Sequence, residues 1–277
     1  MTRKSLSRIA AAFLMAAGTL LAYSNAQRLF YWPMSGSGKS TPESAAGLPF
    51  EEVYFASKDG TRLHGWFIPA IGETRGVVLH VHGNTGHMSF YLDQTLWLPT
   101  EDYAVFMFDY RGYGLSGNET PNPRALMEDT QAAIAYLKNR PDIDASRLLI
   151  LAQSLGGNNT VAALAHGGFD SIAGVVLDAT FYSYKTIAND KFPGGGMLIN
   201  DDYSASRLIR RLSPIPLLLL HGDRDDLVPL EHSRKLFQIA EEPKQLIVVP
   251  GAAHLGVLPR PKIREEVLEF FDACLAE

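Results

Sequence analysis

The stretch Arg147–Thr160, RLLILAQSLGGNNT, constrains this chain more than any other. Leu148 to Ala152 is an unbroken aliphatic run, with the length and apolar density of a strand buried on both faces. Gln153, Ser154 and Leu155 follow at once, and Gly156 and Gly157 open a helical pattern through Val161, Ala162, Ala163 and Leu164. A strand that becomes a helix within so few residues must bend sharply, and small residues at Ala152 and Gly156 let the two backbones pass closely. Ser154 occupies the bend. Its hydroxyl is expected above the sheet, beside a helix N-terminus that favours developing negative charge. The spacing is that of a nucleophile elbow, G-x-S-x-G, with Ala152 in place of the first Gly. The same five residues also fit a serine that merely caps a helix, so the decision falls to the rest of the chain.

At 277 residues the chain suits one large domain, or at most two. A hydrophobic content of 46% with 20% charged residues is ordinary for a soluble globular protein. The net charge of −5 leaves no basic footprint, which argues against nucleic acid as a partner. A single cysteine, Cys274, excludes an internal disulfide and multi-cysteine metal sites. It falls on the apolar side of a helical C-terminal pattern and reads as a small core residue.

The N-terminus has a different character. MTRKSLSR carries Arg3, Lys4 and Arg8 and no acid, and Ile9–Tyr23 is an uncharged run of mostly Ala, Leu, Phe and Met. Basic flank followed by apolar run is the layout of an export signal or a signal anchor, although the run is short of the ~20 residues of a spanning helix. Ser24-Asn25-Ala26 would allow signal cleavage after Ala26. Leu29, Phe30, Tyr31 and Trp32 would instead extend the apolar stretch and set aromatics at a membrane interface. The uncleaved anchor is the reading preferred here over a cleaved signal, and a buried N-terminal helix ranks behind both. Residues 1–33 are thus expected to anchor or export the protein, with everything after them outside the cytoplasm (periplasmic if bacterial). Residues 34–48 are a Ser/Gly/Thr/Pro-rich linker and 49–277 the catalytic domain. GSGKS at 36–40 imitates the end of a phosphate-binding loop, but Pro33 stands where that loop needs glycine and no strand leads in.

Phe50–Ala56 and Arg62–Pro69 are strand-like runs joined around Asp59-Gly60, a hairpin signal. Apolar runs then alternate with helical stretches: Gly76–Val81, Tyr103–Phe108, Leu148–Ala152, Ala173–Leu177, Ile215–Leu220 and Gln245–Val249. The clearest helix is Pro123–Asn139, where Leu126, Thr130, Ile134 and Leu137 recur at helical spacing. Alternating βα units predict an α/β fold: a mostly parallel sheet with helices on both faces and an antiparallel N-terminal edge. In such sheets the ligand binds beyond the carboxyl ends of the strands.

Those ends carry the chemistry. His82, Gly83, Asn84, Thr85 and Gly86 follow one run as a Gly-rich turn whose backbone N–H groups suit an oxyanion. His221, Gly222, Asp223, Arg224, Asp225 and Asp226 follow another, and Pro250, Gly251, Ala252, Ala253 and His254 a third. The order Ser154, Asp225, His254 is that expected of an α/β-hydrolase triad.

With these pieces in place the chain resembles an α/β-hydrolase serine hydrolase, of a branch with an N-terminal membrane anchor. The matching segments are QRLFYWP (27–33), HGNTG (82–86), DYRGYGLSG (109–117), AQSLGG (152–157), HGDRDDLVP (221–229) and GAAHLG (251–256). The resemblance implies Ser154 as nucleophile, His254 as general base and Asp225 as the acid that orients it. It also implies an oxyanion hole from the backbone N–H groups of Asn84 and Leu155. Asp178, at the end of its own strand, is the rival acid, and Asp223 and Asp226 read as turn residues. Leu255 stands where the branch often has a polar residue, which puts a secondary contact in doubt. No cofactor is implied. His80, His82 and His221 lack the carboxylate spacing of zinc motifs, so no metal is expected. Asp109, Arg111 and Gly112 should brace the loop at the site's entrance. The 35 or so residues between Ala179 and Ser213 leave room for a crossover helix and a short lid rather than a cap domain. The substrate is expected to be a small-molecule or lipid-like acyl ester.

Overall fold

The computed structural model describes residues 30–38, 40–167 and 171–276. Its strands are β1 Trp32–Pro33, β2 Glu51–Ala56, β3 Arg62–Ile68, β4 Gly76–Val81, β5 Thr85–Gly86, β6 Tyr103–Asp109, β7 Leu148–Gln153, β8 Ile172–Asp178, β9 Leu217–Gly222 and β10 Lys244–Val249. Among its helices, α1 is Pro42–Ala46, α2 Leu92–Thr95, α3 Pro123–Lys138, α4 Leu155–Gly167, α5 Tyr184–Lys191, α6 Ala205–Leu208, α7 Glu231–Ile239 and α8 Pro261–Ala276. Eight strands form one sheet in the order β10-β9-β8-β7-β4-β6-β3-β2. The β2–β3 and β3–β6 pairs are antiparallel, and every other neighbouring pair is parallel. The Asp59-Gly60 turn closes the first hairpin, with Gly60 in the left-handed region at φ 87° and Ser57 and Thr61 bonded across it.

Aliphatic runs replace the usual alternation because both faces of the sheet are covered. On one face Val77, Leu79, Val81, Leu148, Ile150 and Ala152 join the apolar sides of α3 and α4. On the other, Val78, Leu149, Leu151, Val176 and Leu218 pack with Val267, Phe270 and Phe271 of α8. Cys274 lies half-buried against that second core. The strand expected from Ile215 begins at Leu217, since Pro216 has no N–H to give a ladder.

The packed domain reaches back to Phe30. The Phe30 ring meets Tyr184 edge-on at 5.7 Å, and Tyr31 is buried in the core. β1 pairs in parallel with β5. The stretch expected to be a linker, 34–48, holds α1, whose N-terminus is capped by Thr41 accepting from the Ser44 N–H. Its Ser, Thr and Gly residues serve caps and turns as well as they serve linkers. The run Ile9–Tyr23 and the cleavage position at Ala26 lie outside the described residues. Among the described residues no helix is long and apolar enough to cross a membrane.

Candidate active site

β7 ends at Gln153 and α4 begins at Leu155, leaving Ser154 alone to turn the chain. It does so at φ 53°, a left-handed conformation that costs a non-glycine residue about 1–2 kcal/mol. Its N–H donates to the Asp178 carbonyl at 2.8 Å, and its own carbonyl accepts from Gly157 at 3.1 Å. A Cβ on Gly156 would run into the carbonyl oxygen of Val81, and one on Gly157 into the Thr180 side chain. The first glycine therefore lets α4 cross β4, and the second lets it pass the loop after β8.

Asp225 and His254 come from the loops after β9 and β10. His254 Nδ1 lies 2.7 Å from Asp225 Oδ2, so Nδ1 carries the proton and donates, leaving Nε2 as a base. Asp225 Oδ1 accepts the N–H groups of Leu227 and Val228 at 2.9 and 2.8 Å. Oδ2 also lies 3.3 Å from His221 Nε2. That imidazole is fixed from both ends: Nε2 faces the Val228 carbonyl at 2.8 Å and Nδ1 faces Ser233 Oγ at 2.7 Å. Burial pushes the Asp225 carboxyl up, but the donors from His221, His254 and Val228 outweigh it and hold the group well below the usual carboxylate range. Asp225 is an anion at neutral pH.

The other acids have different work. Asp178, the rival, turns Oδ2 to Gln153 Nε2 at 2.8 Å, and burial raises its carboxyl to about 6. Gln153 accepts in turn from His80 Nε2 at 2.9 Å, and burial holds His80 neutral, down to about 3. This buried chain beneath Ser154 escapes sequence reasoning, although a glutamine ending an aliphatic strand is its one visible sign. Asp223 accepts from the Gly251 N–H at 2.6 Å, linking the loops that carry Asp225 and His254. The Asp226 carbonyl faces Lys191 Nζ at 3.4 Å.

Asn84 follows β4, and its Oδ1 accepts from the Trp32 N–H at 3.3 Å and the Tyr113 hydroxyl at 3.1 Å. These bonds staple the loop that carries Asn84 to β1 and to Tyr113. Leu155 is the first residue of α4, where N–H groups have no partner within the helix. The DYRGYG loop is braced as expected: Arg111 forks onto buried Asp129 at 2.7–3.1 Å and reaches Asp59 at 2.6 Å, and Asp109 accepts from the Met88 N–H. Gly112 turns there at φ 79°. His82 points its Nδ1 at the Gly83 carbonyl, 2.7 Å away. Among the described residues no three His, Cys, Asp or Glu side chains are grouped to hold a metal.

The connection from β8 to β9 contains α5, α6 and short 3-10 turns. Asn158 of α4 pins it, donating to the Phe181 carbonyl and accepting from the Ala205 N–H, both at 2.8 Å. His232 of α7 adds a second pin, accepting from the Tyr182 N–H at 2.9 Å and facing Asp190 at 2.6 Å. Two surface clefts of about 690 and 470 Å³ lie elsewhere, one beside Phe55 and Tyr136 and the other beside Trp97 and Arg264.

The chain is similar to known proteins of the α/β-hydrolase fold. Residues 72–193, which include Ser154 but neither Asp225 nor His254, match the family model Hydrolase_4, described as serine aminopeptidase, S33. The chain is 42% identical over 253 residues to YfhR of Escherichia coli O157:H7, covering 89% of this chain and 87% of that one. It is 31% identical over 244 residues to the alpha/beta hydrolase domain-containing protein WAV2 of Arabidopsis thaliana, covering 81% and 78%. Among solved structures, the esterase Pf2001 of Pyrococcus furiosus superposes with a TM-score of 0.71 at 21% identity, covering 86% of this chain and 97% of that one.

Proposed function

The chain belongs to the α/β-hydrolase family, and on that premise we propose that it is a serine hydrolase cleaving carboxylic esters or thioesters. The observation that carries this reading is the 2.7 Å bond from His254 Nδ1 to the buried Asp225 carboxylate, at the sheet end where Ser154 holds φ 53°. Ser154 Oγ attacks the acyl carbon and passes its proton to His254 Nε2, while Asp225 steadies the imidazolium. The N–H groups of Asn84 and Leu155 receive the oxyanion, each donor contributing about 3 kcal/mol to the transition state. The imidazolium protonates the departing alcohol or thiol. Water activated by His254 then releases the acid from the acyl-enzyme.

A serine peptidase or amidase on the same residues is the second reading, favoured by the description of the matched family model. The basic flank and the apolar run Ile9–Tyr23 support an N-terminal membrane anchor with the domain outside the cytoplasm. A catalytically silent, membrane-tethered module is the weakest reading, because all three triad residues are present in order.

Fluorophosphonate labelling of the full chain, with Ser154→Ala beside it, tests the proposal. Labelling that requires Ser154 supports it, and p-nitrophenyl ester turnover set against p-nitroanilide turnover separates esterase from amidase. A folded wild type that takes no label sinks both enzymatic readings.

A further inference from the structure

Ten large apolar side chains are exposed among the described residues, and their placement is one-sided. Trp32, Met34, Phe90 and Leu115 form one group. β1 pairs with β5, Met34 exchanges backbone bonds with Gly86 and Gly114, and Phe90 covers Gly86. Phe192, Met197, Leu198 and Leu227 form the other, on the lid and on the loop of Asp225, which Lys191 joins by its contact with the Asp226 carbonyl. Both groups follow the carboxyl ends of parallel strands, the end that carries Ser154, Asp225 and His254. Only Tyr54 on β2 and Ile71 before β4 lie elsewhere. Exposing two apolar groups around one site needs a reason, since contiguous apolar surface is costly in water.

The chain itself supplies one. The apolar run ends at Tyr23, and Phe30 already packs on Tyr184 in the domain. Six residues lie between, which holds Tyr23 and Phe30 within about 25 Å of each other. The tether therefore arrives at the catalytic end, beside Trp32. We infer that the catalytic face itself docks on a lipid bilayer, seating both apolar groups in the interfacial region, so that Ser154 opens toward amphiphilic acyl esters drawn from the membrane. The inference rests on the proposed reading of residues 9–23 as a membrane segment, and it adds an orientation that a tether alone does not impose. With a net charge of −5 the attachment is apolar rather than electrostatic.

The chain has three tryptophans, of which Trp66 and Trp97 are buried. This allows a depth measurement that needs no turnover. In a Trp32→Phe background, full-length protein carrying either Phe192→Trp or Ile71→Trp is reconstituted in phosphatidylcholine vesicles with brominated acyl chains. Docking predicts that the reporter at position 192 loses most of its emission relative to unbrominated vesicles, while that at 71 loses none. No quenching at 192 overturns the inference, as does equal quenching at both. Flotation of the vesicles tests the membrane segment separately, and fluorophosphonate labelling of the same samples tests the hydrolase.

Discussion

Oδ2 of Asp225 serves two imidazoles, His254 Nδ1 at 2.7 Å and His221 Nε2 at 3.3 Å. His221 already faces the Val228 carbonyl through that nitrogen, so it steadies the carboxylate without competing for the proton of His254. Removing the charge alone should therefore be informative. Asp225→Asn is expected to lower kcat for a short ester by about 10⁴-fold, through the wrong imidazole tautomer, with unchanged far-ultraviolet circular dichroism. A loss below tenfold would assign the acid elsewhere, and Asp178→Asn measured alongside would show whether it had moved one strand over.

The backbone of Ser154 makes its own prediction. Ser154→Ala and Ser154→Gly should both be inactive, yet only glycine releases the left-handed φ of 53°. Ser154→Gly is expected to exceed Ser154→Ala in stability by about 1 kcal/mol, or roughly 2 °C in Tm for a chain of this size. Equal melting temperatures would mean that the surroundings absorb the strain.

Of the two small residues that flank Ser154 in the motif, Ala152 and Gly156, only Gly156 is obligatory as a glycine. Gly156→Ala drives a methyl into the Val81 carbonyl and should cost about 3 kcal/mol or prevent folding. Ala152→Gly, which restores the first glycine of the motif in the middle of a covered strand, should cost only about 1 kcal/mol. Urea midpoints compare the two.

The buried His80–Gln153–Asp178 chain ties stability to pH in two opposing ways. His80 titrates near 3 when folded against 6.5 when free. Between those values the unfolded chain holds the extra proton, so stability falls as pH drops from about 6.5 to about 3. For Asp178, near 6 when folded against 3.8 when free, the folded chain holds the extra proton, and stability falls as pH rises through that interval. His80→Asn should flatten the acid limb of urea midpoints against pH. Asp178→Asn should gain about 3 kcal/mol over wild type between pH 4 and pH 8. A gain independent of pH would contradict the assignment.

Strand positions were largely readable because burial on both faces produces runs with clear ends: Gly76–Val81 is predicted and observed over the same residues. Tyr103–Phe108 and Leu148–Ala152 each gain one residue, Asp109 and Gln153. Those added residues are polar groups that end a strand and brace the site, where hydropathy no longer reports backbone pairing. The choice of Asp225 over Asp178 came from the resemblance; in the fold Asp178 ends β8, while the loop after β9 carries the Asp225 carboxylate to His254. The seat of Tyr31 and the β1–β5 pairing were illegible. A two-residue strand has no periodicity, and aromatics following an apolar run suggest a membrane edge as readily as a core.

β10, which leads into the loop of His254, is an edge strand with β9 as its sole neighbour in the sheet. Most of its residues are only partly buried, whereas β7, which delivers Ser154, is buried throughout with a partner on each side. Edge elements open locally at a smaller free energy than central ones. His254, the proposed base, should therefore leave the site while Ser154 and the core are still in place. Ester turnover is expected to fade at a lower urea concentration than the circular dichroism signal, with amides of β10 exchanging before those of β7. Inactivation of this molecule is then expected to be the departure of one strand, well short of the loss of the fold.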